Sequence, residues 1–265
     1  MEPPVFIPYM RVLGLPFVTT LRGARAAGFR GVEISLLGMS KKAAKDCRRV
    51  AQSLGLAAHF HQAWSIDENP THWFNHLFYW LGCTQPTGYT LAEHLPEDDL
   101  PVVVYADRWR EVLGHPNRWL QTDSCFNEHL ARRITCEDFI KVVHKHSLPV
   151  VFDTQHYLEM SFGVSGVEGF PESVSALRDR LIQGWRELGP LVKEIHLCDS
   201  NPALGHSAGR NVFLGQGRLP LRDFCRFVKE SGWEGAVTPE VSPAHVLGRR
   251  RRLEEIRKLA LQYFE

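Results

Sequence analysis

The chain has 265 residues and a formal net charge of +1. That length suits one large α/β barrel or two small domains, and so balanced a charge gives no whole-molecule pull toward nucleic acid or an anionic membrane. Hydrophobic residues make up 44% of the chain, enough for a full core, and no apolar run is long enough to span a bilayer.

The start, Met1-Glu-Pro-Pro, lacks the basic and apolar regions of a signal peptide. Six scattered cysteines (Cys47, Cys83, Cys125, Cys136, Cys198, Cys225) form no CxxC pair. They read as free thiols in a reducing cytoplasm and argue against a thiolate zinc site.

Taken in order, residues 5–9 predict a first strand, 19–27 a helix ended by Gly28, and 31–35 a second strand. Residues 40–54 predict a helix with Ser40 and Gly55 as caps. Residues 56–61 predict a third strand on which His59 and His61 share a face, because strand side chains alternate. An aromatic-rich helix is expected over 70–81, then a loop to residue 100 that could cover a barrel mouth. Its cluster of Trp73, Phe74, Leu77, Phe78 and Trp80 suits core packing or a homo-oligomer interface.

Strands four and five are expected over 101–105 and 118–123, with a short helix over 108–113 between them. Thr135 and Asp138 mark a capped helix running to His146. The sixth strand is 150–153, the next helix 171–188, and the seventh strand 194–198. A polar loop over 199–217, a helix over 219–231, an eighth strand over 236–241 and a helix over 249–264 complete the chain. Eight strands alternating with helices and no linker predict a single domain over 1–265, an α/β (β/α)8 TIM barrel. The alternative, a doubly wound sheet, calls for a Gly-rich first turn, which Val12-Leu-Gly-Leu15 is not.

Three segments end apolar runs in ionisable residues: Leu148 to Asp153 with His156 beyond, Val192 to His196 and Asp199, and Gly235 to Glu240. In a barrel the C-terminal strand ends converge on the active site. Asp, His and Glu together suit a hard or borderline divalent metal. Each also has a plainer reading: Asp153 as a helix cap with His156 an ordinary loop histidine, His196 as a satisfied core residue, Glu240 as a rim salt bridge. Recurrence at three successive strand ends favours the site.

These motifs (Asp-x-x-His, Ile-His-Leu, Leu214-Gly-Gln-Gly-Arg-Leu, Gly-Trp-Glu-Gly before Glu240, and Ala27-Gly-Phe-Arg-Gly-Val-Glu33) resemble the xylose-isomerase-like TIM barrels. That group includes sugar phosphate isomerases and epimerases and the endonuclease IV branch. The resemblance implies one divalent ion, Mn²⁺, Mg²⁺, Co²⁺ or Zn²⁺, held by Asp153, His196, Glu240 and a strand-five residue. The family has Glu at that fourth place, where this chain offers Gln121, or Asp123 one step on.

The resemblance also implies an isomerase, epimerase or related lyase that removes a carbon-bound proton from a small sugar-like or hydroxy-keto substrate. Glu240 is the expected base, Asp123 a candidate second one, and His156 a secondary ligand or proton shuttle. His59, His61, Trp64 and Arg210 are candidates for substrate contact. Tyr105 stands where the endonuclease branch has a strand-four histidine, and His206 lies in no Asp-x-His pair, so a nucleic-acid partner is not expected. Gln121 keeps a non-catalytic ligand-binding barrel as a further alternative. The Arg249–Arg252 run precedes Glu254 and Glu255 and reads as a solvated helix face.

Overall fold

A computed structural model describes residues 2–9, 17–36, 41–62, 100–123, 134–164, 166–204, 211–241 and 250–265. The readings placed on Trp64, Arg210, His206, the helix over 70–81 with its aromatic cluster, the cap at Ser40 and the expected start of the last helix at Arg249 lie outside the described residues.

Eight parallel strands pair in chain order: β1 (Phe6–Tyr9), β2 (Gly31–Ser35), β3 (Ala57–His61), β4 (Val102–Val104), β5 (Arg118–Gln121), β6 (Val150–Asp153), β7 (Val192–Cys198) and β8 (Ala236–Glu240). A parallel bridge between Val5 and Val237, with Val237 N–H donating to the Pro4 carbonyl, joins the first edge to the last and closes the ring. Seven α-helices are described around it: α1 (Phe17–Ala26), α2 (Lys41–Ser53), α3 (Cys136–His146), α4 (Thr154–Phe162), α5 (Val174–Leu188), α6 (Leu221–Glu230) and α7 (Arg250–Tyr263). This is a (β/α)8 barrel.

Alternation along the strands decides what fills each side of the sheet. Val32, Ile34, Phe60, Leu120, Val150, Phe152, Ile195, Leu197 and Val237 belong to the hydrophobic core shared with the helices. Many of the residues between them are polar: Glu33, His59, His61, Gln121, Asp153, Glu194, His196 and Thr238 are all buried. The apolar core is therefore the ring between sheet and helices, and the barrel axis holds the chemistry.

Phe152 anchors that ring, stacking on Tyr157 and Phe224 at 4.8 and 5.4 Å and meeting Trp185 edge-on. Helix α5 lies close to α4 because position 184 has no side chain: a Cβ on Gly184 would sit 2.2 Å from the Tyr157 ring. The cap expected at Thr135 forms, its hydroxyl accepting from Asp138 N–H at 3.0 Å.

Helix α4 was not expected; the sequence suggested a loop after Asp153. Its inner face carries Gln155 and Glu159, both buried, so the apolar periodicity that announces a helix is weak there. Asp153 itself caps it, accepting from His156 N–H at 2.8 Å. The helix expected from residue 171 begins at Val174, capped by Ser173, and the fifth strand ends at Gln121 instead of Asp123. No described helix is long and apolar enough to cross a membrane.

Candidate metal and proton-transfer site

Strand register brings the site together. Asp153 pairs with His196, His196 with Thr238, and Cys198 with Glu240, so neighbouring strands deliver adjacent inward side chains. His196 Nδ1 lies 3.1 Å from Glu240 Oε1, 3.4 Å from the Gln121 amide and 3.9 Å from Asp153 Oδ2. The four residues expected to meet at the ends of strands five to eight do meet. Asp153 and His196 are fully buried, whereas the Glu240 side chain is 19% exposed and faces the mouth.

The other nitrogen of His196 is committed. Nε2–H donates to Glu33 Oε2 at 2.8 Å, and His59 Nε2 reaches the same oxygen at 3.2 Å. A carboxylate behind an imidazole fixes its tautomer and turns the opposite nitrogen toward the site, as in metal centres whose histidines are held from behind. Below lies Glu194, which accepts from the Thr238 hydroxyl and stands 3.1 Å from His59. His59 lies against Phe6 and Trp119, at ring distances of 5.2 and 5.7 Å, in register with Glu33. It belongs to this buried ion-pair layer, with Glu33 and Glu194 beside it.

Charge in this layer is set by competition between burial and neighbours. Burial alone would push the His196 pKa down, but Glu33 and Glu240 hold it well above the usual imidazole value. Burial would likewise raise Glu33 and Glu240, yet His196 above all holds both below the usual carboxylate range. Asp153 goes the other way: burial, aided by Glu240, raises it against the pull of His156 and His196.

His61 stacks on His196 at 5.7 Å and meets the Tyr105 ring edge-on. Its Nδ1 faces the Gln62 carbonyl at 2.8 Å and its Nε2 the Gln121 side-chain oxygen at 2.9 Å. The strand-five position belongs to Gln121. Asp123 has left the strand and lies 3.6 Å from His156 Nδ1. His156 sits in the first turn of α4 instead of a loop, and its Nδ1 is bound to buried Glu159 at 2.8 Å. Burial opposes a proton there, but Asp123, Asp153 and Glu159 hold His156 well above its ordinary pKa. Its side chain is 21% exposed.

Four residues that the sequence reading left without a role complete the arrangement. Glu33 and Glu194 form the layer beneath, and Glu159 anchors His156. Cys198 Sγ lies 3.1 Å from Asp153 and 3.6 Å from Glu240, kept as a thiol by burial and these two carboxylates. Strand parity signals three of them: Glu33 is flanked by Val32 and Ile34, while Glu194 and Cys198 are each two residues from His196. Behind the site Asp199 accepts backbone N–H bonds from Ser200, Gly215, Gly217 and Leu219, shaping the loop after β7. Gly217 permits this cage, since a Cβ there would lie 1.9 Å from Asp199 Oδ1.

The donor set fits a divalent cation. Two carboxylates and an imidazole nitrogen converge, and groups of such donors, Glu33, His61, His196 and Glu240 in one and Asp153, Cys198 and Glu240 in another, lie within 4.8 Å of one another.

The family model for xylose isomerase-like TIM barrels matches residues 120–262, more than half of the chain. No curated protein sequence matches. Among solved structures, a xylose isomerase domain protein from Alicyclobacillus acidocaldarius aligns at 17% identity over 99% of this chain and 98% of its own, with a TM-score of 0.57. D-Psicose 3-epimerase from Clostridium cellulolyticum H10 aligns at 13% identity over 100% and 98%, with a TM-score of 0.54. The 3-keto-D-glucoside 4-epimerase of E. coli aligns at 12% identity over 96% and 99%, with a TM-score of 0.54. At these identities the structural likeness speaks to the fold alone.

Proposed function

The chain belongs to the xylose isomerase-like TIM barrels, and from that premise we propose that it is a metal-dependent isomerase of a small, sugar-like hydroxy-carbonyl compound. The observation that carries the reading is the convergence of Asp153, His196 Nδ1 and Glu240 at the barrel mouth, with Glu33 holding His196 from behind. Asp153, His196 and Glu240 would hold the ion, and Gln121 could add a neutral carbonyl if its amide is turned over. The amide NH₂ would then face His61 Nε2. A bound divalent ion supplies polarisation of the substrate's carbonyl and hydroxyl oxygens, which acidifies the carbon-bound proton between them.

Glu240 is the base: it is a carboxylate held in its charged form and the most exposed of the three ligands. Gln121 cannot take a proton. Among the described residues, no carboxylate on strand five faces Glu240 across the site. A single base lifts a proton and returns it on the same face. That stereochemistry moves a proton between adjacent carbons, as in aldose–ketose interconversion, whereas epimerisation at one carbon needs delivery from the opposite face. His156, bound to Glu159, would bind a substrate oxygen at the entrance and share its proton.

The test is deuterium incorporation from D₂O into a panel of aldoses and ketoses, followed by NMR with Mn²⁺ or Co²⁺ present. The expected result is label on one carbon with isomer formed and no epimer. Glu240→Gln should slow exchange by about 100-fold or more. Exchange that is unchanged in Glu240→Gln, or an epimer as the sole product, would overturn the assignment.

A further inference from the structure

We propose that Cys198 is a metal ligand, making this a mixed sulfur, nitrogen and oxygen centre suited to Zn²⁺ or Co²⁺. The proposal rests on the metal-site reading above and adds the residue that sets which ion is preferred.

Strand β7 points Glu194, His196 and Cys198 inward in turn, so the thiol stands one step closer to the mouth than the imidazole. Register sets Cys198 beside Glu240 on β8, and Asp153 beside His196 on β6. The sulfur therefore sits between the two carboxylates and is wholly buried. Nothing apolar claims it: although buried, Cys198 is not part of the hydrophobic cluster that packs sheet against helices.

Distances carry the argument further. Around a tetrahedral ion with metal–sulfur bonds of about 2.3 Å and metal–oxygen bonds of about 2.1 Å, sulfur and oxygen ligands stand about 3.6 Å apart. Cys198 Sγ is 3.1 Å from Asp153 Oδ2 and 3.6 Å from Glu240 Oε2. On the same arithmetic imidazole nitrogen and carboxylate oxygen stand about 3.4 Å apart. His196 Nδ1 is 3.1 Å from Glu240 and 3.9 Å from Asp153. Asp153, Cys198 and Glu240 each offer a donor atom within 4.8 Å of one another, and His196 Nδ1 stands 3.1 Å from Glu240 Oε1, the second oxygen of the carboxylate whose Oε2 faces the sulfur. Gln121 is the rival for the fourth position, but its oxygen is engaged by His61 Nε2 at 2.9 Å. As the ion seats, the thiol proton, now donated to Asp153, leaves to solvent, and thiolate takes its place as ligand.

Sulfur ligation shifts preference from Mg²⁺ and Mn²⁺ toward borderline ions. It also has a signature independent of catalysis: Co²⁺ bound to a thiolate shows a charge-transfer band in the near ultraviolet. The experiment titrates full-length protein with Co²⁺, reading absorbance and, by equilibrium dialysis, bound ion. The parent and Cys198→Ser are compared, with circular dichroism verifying the fold of each.

The expected result is Co²⁺ bound with the band in the parent, and loss of the band in Cys198→Ser. Co²⁺ bound to the parent without the band would overturn Cys198 ligation and leave the metal-site reading standing. A band that persists in Cys198→Ser would assign it to another cysteine and overturn the proposal in the same way. No bound Co²⁺ in a folded parent would overturn both. Cys198→Ala is read in the same way should Cys198→Ser not fold, with loss of the band expected and its persistence overturning the proposal.

Discussion

Replacing Glu33 with Gln should cost about 2–3 kcal/mol of stability in the metal-free protein. The Glu33 carboxylate, 3% exposed, accepts from His196 Nε2 at 2.8 Å and His59 Nε2 at 3.2 Å. Hydrogen bonds to a charged group contribute about 1.5–3 kcal/mol each, and neutral ones about 0.5–1.5. An amide oxygen can still accept, so each bond falls by about 1–1.5 kcal/mol rather than vanishing. Domains of this kind hold roughly 5–15 kcal/mol in total, so the variant should still fold.

The pH dependence of the effect separates it from a packing defect. Glu33 is held below the usual carboxylate range, so its contribution is present above its unfolded pKa and lost as pH falls through its lowered folded value. His196 is held above the usual imidazole value, so its contribution is full below its unfolded pKa and lost as pH rises through its folded value. The gap between parent and variant should be widest at about pH 5–7 and narrow on either side. Urea denaturation of both proteins from about pH 3 to about pH 9, with metal removed, measures it. A gap under about 0.5 kcal/mol, or one that does not vary with pH, would refute the buried ion-pair layer as described.

Three further predictions test other levels of the account. Apparent affinity for Zn²⁺ or Co²⁺ should rise with pH, because the cation competes with the proton that Glu33 and Glu240 hold on His196; affinity falling with pH would contradict that charge assignment. Phe152→Ala, which removes the ring packed on Tyr157, Trp185 and Phe224, should lower stability by about 3–5 kcal/mol in denaturant unfolding, and a loss below about 1 would show that the ring is not an anchor. Gly217→Ala forces a methyl against Asp199 Oδ1 and the Ser200 backbone nitrogen; it should cost about 1–3 kcal/mol and lower the melting temperature, and an unchanged melting temperature would count against the Asp199 cage.

The barrel was legible because its strands punctuate an otherwise helical chain at regular intervals, and because polar residues end apolar runs at Asp153, His196 and Glu240. The same rule hid half of the site. Looking only at strand ends passes over Glu33 and Glu194, whose side chains enter the barrel from within the strands. Parity would have found them: Glu194, His196 and Cys198 alternate with Ile195 and Leu197.

Helix α4 was missed for a related reason. Its buried residues mix Gln155 and Glu159 with Tyr157, Leu158 and Met160, so hydrophobic periodicity is weak there. Asp153 was weighed as either cap or site residue, and it is placed as both: one oxygen caps α4 while the other faces Cys198 and His196. The choice between Gln121 and Asp123 needed the strand's end, since Thr122, whose hydroxyl accepts from Asp153 N–H at 2.8 Å, ties the turn to β6 and carries Asp123 toward His156.

The most direct test of the central claim is the metal content of purified protein after dialysis against Zn²⁺, Co²⁺ or Mn²⁺, read by elemental analysis beside an Asp153→Ala, Glu240→Ala double variant. The account predicts about one bound ion per chain in the parent and its loss in a folded variant. A parent that binds none, or a variant that binds as much as the parent, would contradict it.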